Sequence, residues 1–142
     1  MKDEEIIEKV LEISGFKRLN PVQKIAVKKG LLKGKNLVVF APTASGKTLI
    51  AEIAALKTIL EKKKKVVYLV PLVALANEKY EEFKKKYSRI GIKVAMSVGN
   101  FDEADPWLAN YDWIVASNEK LNSLIIHKVC LLYTSDAADE LD

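Results

Sequence analysis

The chain has 142 residues with a formal net charge of +4, and 49% of them are hydrophobic. That length suits one compact domain, and the apolar content excludes a disordered chain. No apolar run approaches the ~20 residues of a membrane helix, the charged opening Met1-Lys2-Asp3-Glu4-Glu5 is no signal peptide, and the single Cys130 excludes an internal disulfide and suits a reducing cytoplasm.

Residues 3–14 carry Ile6, Ile7, Val10, Leu11 and Ile13 on one helical face, with Gly15 where a C-cap belongs. Asn20-Pro21 then reads as an N-cap followed by proline at the first helical position, and predicts a second helix to about Leu32. Gln23 sits in its first turn. A glutamine amide offers a donor and an acceptor to an adenine edge, although a lone one is more often an exposed polar residue.

The short apolar run Asn36-Leu37-Val38-Val39-Phe40 predicts a strand. It leads into Ala41-Pro42-Thr43-Ala44-Ser45-Gly46-Lys47-Thr48, and a helix-spaced run from Leu49 to Leu60 follows. Strand, tight loop and helix form the context of a phosphate-binding loop. Backbone N–H groups at such a helix start have no partner inside the helix and face an anion. Gly46 permits a close approach. Lys47 supplies a mobile positive charge to the β- and γ-phosphates of a nucleotide, and the Thr48 hydroxyl a ligand for Mg²⁺. The common form of the motif opens with Gly, where Ala41 stands here.

Lys62 to Lys65 read as a solvated helix end rather than a nucleic-acid contact. Val66-Val67-Tyr68-Leu69-Val70 is a continuous apolar run, as in a strand buried on both faces. From Pro71 a helix continues to about Tyr87. Polar groups at that junction suit a phosphodiester backbone, while the apolar Leu72 and Val73 suit a core equally well. Ile92–Ser97 and Asp112–Ala116 predict two more strands, with a surface connection around Asp105-Pro106-Trp107 between them. Ser117-Asn118-Glu119-Lys120 caps a helix to about His127, a lone histidine with no metal-ligand cluster beside it. Four strand–helix units with short connections imply an α/β fold, a parallel sheet with helices on both faces. Ligands of such sheets gather at the carboxyl ends of the strands. The segments at Ala41, Pro71, Gly99 and Ser117 are therefore expected to share one edge. Because residues 129–142 hold four acidic groups and no basic ones, the +4 of the chain becomes +8 on residues 1–128, a balance that suits a polyanionic partner.

With these stretches in view, residues 1–127 resemble superfamily 2 helicases, in particular the Ski-like branch that includes archaeal DNA repair helicases. Ala41–Thr48 is similar to the family's first motif, and Phe16 to Gln23 to its adenine-sensing segment, which favours Gln23 as an adenine contact. Pro71-Leu72-Val73-Ala74-Leu75-Ala76 resembles a motif that touches the nucleic-acid backbone, with Val73 where the family often has arginine. Gly99-Asn100 resembles a glycine–aspartate motif, and Ser117-Asn118-Glu119-Lys120 a Thr-x-Glu-Lys segment in which Ser117 supplies the hydroxyl. The resemblance implies an incomplete RecA-like phosphate-loop NTPase domain. It implies ATP and Mg²⁺ as cofactors, and single-stranded or branched nucleic acid as partner, DNA before RNA. Pro71, Leu72, Ala74, Gly99, Ser117 and Lys120 would be its contacts.

The family's next strand should end in Asp-Glu-x-His, and a second motor domain should follow. Neither is present, and Asp139-Glu140 follows Thr134-Ser135-Asp136-Ala137-Ala138, which is no strand. Cys130 to Glu140 resembles translated sequencing-adapter read-through, and its composition predicts no packed element. Residues 1–128 are thus expected to be the N-terminal part of a first motor domain and 129–142 an artefactual or disordered tail. Two alternatives stay open. One is a stand-alone, non-catalytic nucleotide-binding module. The other is a small-molecule kinase, which the lack of arginine in residues 98–127 disfavours.

Overall fold

A computed structural model of the chain describes residues 2–35, 37, 39, 46–98, 109–117 and 130–133. Helix α1 (Asp3–Ser14) carries three acidic residues in its first turn, where they complement the helix dipole, and stops at Gly15 with φ +79°. It buries Ile6, Val10 and Leu11. Helix α2 (Pro21–Lys28) ends earlier than the expected Leu32. Gly30 takes φ +107°, open to glycine and strained for other residues, and Leu31–Lys33 form a single 3₁₀ turn that still buries Leu32.

Helix α3 (Lys47–Leu56) starts from Gly46 and loosens into a π-helical turn over Lys57–Glu61. There the Thr58 hydroxyl donates to the Ala54 carbonyl at 2.9 Å, a back-bond that competes with regular helix pairing. The lysine run that follows divides. Lys62, Lys63 and Lys64 are exposed, as expected, whereas the Lys65 ammonium donates to the carbonyls of Ala109 and Tyr111 and ties that connection to the start of β1.

Strand β1 (Val66–Val70) is buried at all five positions, as a continuous apolar run predicts. Helix α4 (Val73–Tyr87) follows it, then β2 (Val94–Ser97), β3 (Trp113–Ser117) and β4 (Cys130–Tyr133). All pairings are parallel, in the order β2-β3-β1-β4. Val70 pairs with Ser117 and Ser97 with Ala116, so the carboxyl ends of β1, β2 and β3 do share one edge.

One strand expectation falls mostly outside the described residues, and one expectation is corrected. Asn36, Val38 and Phe40 lie outside the described residues, and Leu37 and Val39 join no described strand. The expectation that the tail makes no packed element is corrected for Cys130–Tyr133. This four-residue run of β-compatible, largely apolar residues pairs with β1 from Val66↔Cys130 to Leu69↔Tyr133. The expected helix to His127, the Trp107 connection and residues 134–142 lie outside the described residues.

The sheet divides the core. On one face Val66, Tyr68, Val70, Val94, Trp113 and Val115 meet apolar residues of α1, α3 and α4. On the other, Val67, Leu69, Ala95, Ile114 and Ala116 form a separate buried cluster without a described helix residue. Four aromatics fasten α4 to the first face. Phe83 lies 4.5 Å from Trp113 and 4.9 Å from Tyr68, centroid to centroid, and Tyr87 stacks on Trp113 at 5.1 Å. Each such pair adds about 0.5–1.5 kcal/mol beyond the area it buries.

Candidate nucleotide-binding site

Gly46 occupies the N-cap of α3 with φ +88°, a conformation that costs a residue with a Cβ about 1–2 kcal/mol. Lys47 and Thr48 follow as the first two helical residues, in the turn where the helix itself supplies no acceptor for backbone N–H groups. Lys47 is buried and Thr48 half-buried. Both line a cleft of about 860 Å³ that also takes in Phe16, Asn20 and Gln23 on one side and α4 on the other. Lys79, Lys85, Lys86 and Arg89 add positive charge to its wall, against the carboxylates of Glu52 and Glu82. Glu82 pairs with Lys79, and Glu52 with Lys86. The balance remains cationic, which favours a polyphosphate.

Asn20 and Gln23 brace the loop. The Asn20 side chain accepts from the Gln23 backbone N–H at 2.9 Å, and the Gln23 carboxamide oxygen accepts from the Asn20 N–H at 2.8 Å. This reciprocal cap anchors α2. The Gln23 Nε2 then donates to the Gly46 carbonyl at 3.2 Å, joining α2 to the phosphate loop. Gln23 is therefore buried rather than an exposed first-turn residue. Asn20→Ala should remove the cap and cost about 1 kcal/mol of stability. A urea titration followed by circular dichroism reads it directly, and an unchanged midpoint would show that the cap contributes nothing.

A profile of the DEAD/DEAH box helicase family matches residues 20–141. The chain belongs to that family. Among the relatives of this helicase chain is the ATP-dependent DNA helicase Hel308 of Pyrococcus abyssi, 51% identical over 123 residues and covering 87% of this chain. The protein of the same description from Methanocaldococcus jannaschii is 48% identical over 132 residues, again 87% of this chain. The chain spans 17% and 11% of those two relatives. Among solved structures, the DUF1998 helicase MrfA bound to DNA and AMPPNP aligns with a TM-score of 0.67 at 27% identity. That alignment covers 86% of this chain and 18% of MrfA.

Within this helicase domain, Gln23, Gly46, Lys47 and Thr48 line one cleft. Ala41, Pro42, Thr43, Ala44 and Ser45 lie outside the described residues, as do Gly99 and Lys120. Beyond β1, Pro71 is half-buried, Ala74 is exposed, and Leu72 and Val73 are 65% and 51% exposed. The alternative that Leu72 and Val73 belong to the core is thereby excluded. Leu72 is the N-cap of α4 and provides no side-chain acceptor. Ser117 is the last residue of β3 and is buried, so its hydroxyl does not stand on the surface of the edge. Among the described residues no cluster of three or more His, Cys, Asp or Glu could hold a metal, and no helix is long and apolar enough to cross a membrane.

Sequence reading missed Glu52. It lies one turn below Thr48 on the same face of α3, lines the same cleft, and is buried. Its signal was there to read, a single carboxylate in the otherwise apolar stretch from Leu49 to Leu56.

Proposed function

We propose that residues 1–128 are the N-terminal part of the first motor domain of an ATP-dependent nucleic-acid helicase. The observation that carries this reading is the cationic cleft at the start of α3, where Lys47 and Thr48 meet the Asn20–Gln23 brace. Lys47 binds the β- and γ-phosphates, Gln23 approaches the adenine, and Ala41 to Gly46 wrap the phosphates. Thr48 presents one hydroxyl to the cleft, which suits a Mg²⁺ ion whose remaining ligands are phosphate oxygens and water. That ion would neutralise charge building on the terminal phosphate.

Pro71, Leu72 and Ala74 hold the backbone of one strand, helped by the uncapped first turn of α4 and by Gly99 and Lys120. DNA is the preferred partner, as it is in the descriptions of the Hel308 relatives and of the MrfA complex. Such contacts track a backbone with little sequence preference. A second motor domain in the intact protein closes the cleft on ATP, and a reducing cytoplasm suits the lone cysteine. The activity this reading assigns to these 142 residues is binding of Mg-ATP without its turnover.

The test is a titration of the purified chain with a fluorescent ATP analogue in Mg²⁺. Lys47→Ala should remove a charge-assisted contact of about 1.5–3 kcal/mol and weaken binding roughly 10- to 100-fold. Equal affinity in parent and variant would sink the reading of the cleft. Lys47-dependent ATP turnover would sink the claim that hydrolysis is lost. Nucleotide binding that no single-stranded DNA accompanies would favour the stand-alone module instead.

A further inference from the structure

A buried ionic cluster joins α3 to the last turn of α4. Glu52 is only 2% exposed, and its carboxylate accepts from the Lys86 ammonium and, at 2.7 Å, from the Tyr87 hydroxyl. Both partners sit in the last turn of α4. Burial pushes the Glu52 carboxyl up from its ordinary value, and the neighbouring Lys86 charge and the two hydrogen bonds oppose that shift. Burying such a pair is a poor way to gain stability, because desolvation takes back most of the attraction, and an apolar residue packs two helices as well. The cluster thus asks for a role other than holding α3 to α4.

Its position supplies one. Glu52 stands one turn below Thr48 at the phosphate end of α3, whereas α4 begins with Val73, beside the exposed Leu72. The fifteen residues of α4 span ~22 Å as a rigid rod, and its aromatics fasten it to β1 and β3. The Lys86 side chain retains 19% exposure and lines the cleft, so a polyphosphate bound there competes with Glu52 for its ammonium. Bound nucleotide then acts differently on two pairings of Lys86, with Glu52 or with phosphate, and such a difference is the requirement for coupling two sites.

We propose that Glu52, Lys86 and Tyr87 are positioning residues that couple nucleotide in the cleft to single-stranded DNA at the Pro71–Ala76 end of α4. The inference rests on the helicase reading above. Lys86 exchanges between Glu52 and phosphate oxygens, and Tyr87 holds the carboxylate in place as it does so. The ring of Tyr87 keeps its stack on Trp113 throughout.

The experiment measures affinity of the full 142-residue chain for a fluorescent ATP analogue in Mg²⁺, with and without saturating oligo(dT). In the parent chain, oligo(dT) should change that affinity by about five-fold or more. Tyr87→Phe loses one hydroxyl and keeps the ring. It should leave affinity for the analogue alone within about three-fold and bring the oligo(dT) effect to within about two-fold of none. Lys86→Met should abolish the coupling and Lys86→Arg restore it, a rescue that a purely structural contact would not require. If Tyr87→Phe keeps the parent's coupling, the inference is overturned while the helicase reading stands. Analogue binding by the parent without any oligo(dT) effect also overturns it and leaves the nucleotide site intact. No analogue binding at all removes the reading of the cleft and the inference with it.

Discussion

Gly46→Ala should damage nucleotide binding more than any other single methyl group added to this chain. A Cβ at Gly46 would stand 2.3 Å from the Gln23 amide nitrogen and 2.7 Å from that of Asn20. Those atoms end side chains, but neither is free to swing away, since together they cap α2 and hold the Gly46 carbonyl. Left-handed backbone for alanine costs about 1–2 kcal/mol, and breaking the cap about 1 kcal/mol more. About 2–3 kcal/mol is then divided between stability and nucleotide affinity. If all of it falls on binding, the affinity for an ATP analogue drops roughly 30- to 150-fold. Titration calorimetry and urea unfolding on the same preparations read the two parts. A variant matching its parent in both would show that the loop does not depend on this glycine.

Trp113→Ala should be the most damaging change in the core. Trp113 is fully buried between Phe83 and Tyr87, and it aligns with Val66 on one side and Val94 on the other. Removing it leaves a cavity under α4 that the parallel sheet cannot collapse to fill. Buried tryptophan-to-alanine changes cost about 3–5 kcal/mol. Among the described residues the indole N–H has no hydrogen-bond partner, so its loss returns part of the desolvation penalty and places the expected value near the lower end. Set against a typical domain stability of about 5–15 kcal/mol, the variant should be marginal at room temperature. Urea unfolding followed by far-ultraviolet circular dichroism reads this loss, and a change below about 1 kcal/mol would show that the cavity closes.

Much of this was legible in the residues themselves. The five apolar residues of β1, the Asn20-Pro21 start of α2 and the Gly-Lys-Thr start of α3 are local signals, and each became the element it announces. What escaped was decided at long range. Gln23 advertises an amide but not that its nitrogen reaches the Gly46 carbonyl 23 positions along. Lys65 reads as one of four solvated lysines until the chain returns with Ala109 and Tyr111. Leu72 and Val73 look like core by composition, yet they lie past the end of a strand, where the chain turns outward into α4. Cys130–Tyr133 is four residues too short to announce itself, and it is a strand because β1 offers it an edge.

The parallel register has a consequence for the moment of synthesis. No described strand in this sheet pairs with the strand just before it except β3 with β2, and β1 finds its partners only at Trp113–Ser117 and Cys130–Tyr133. A ribosome adds about 5–20 residues per second, so β1 waits several seconds with five apolar side chains and both edges unpaired. During that wait the nascent chain is a substrate for chaperones and for other copies of itself, and slowing translation between Val70 and Trp113 should lower its soluble yield.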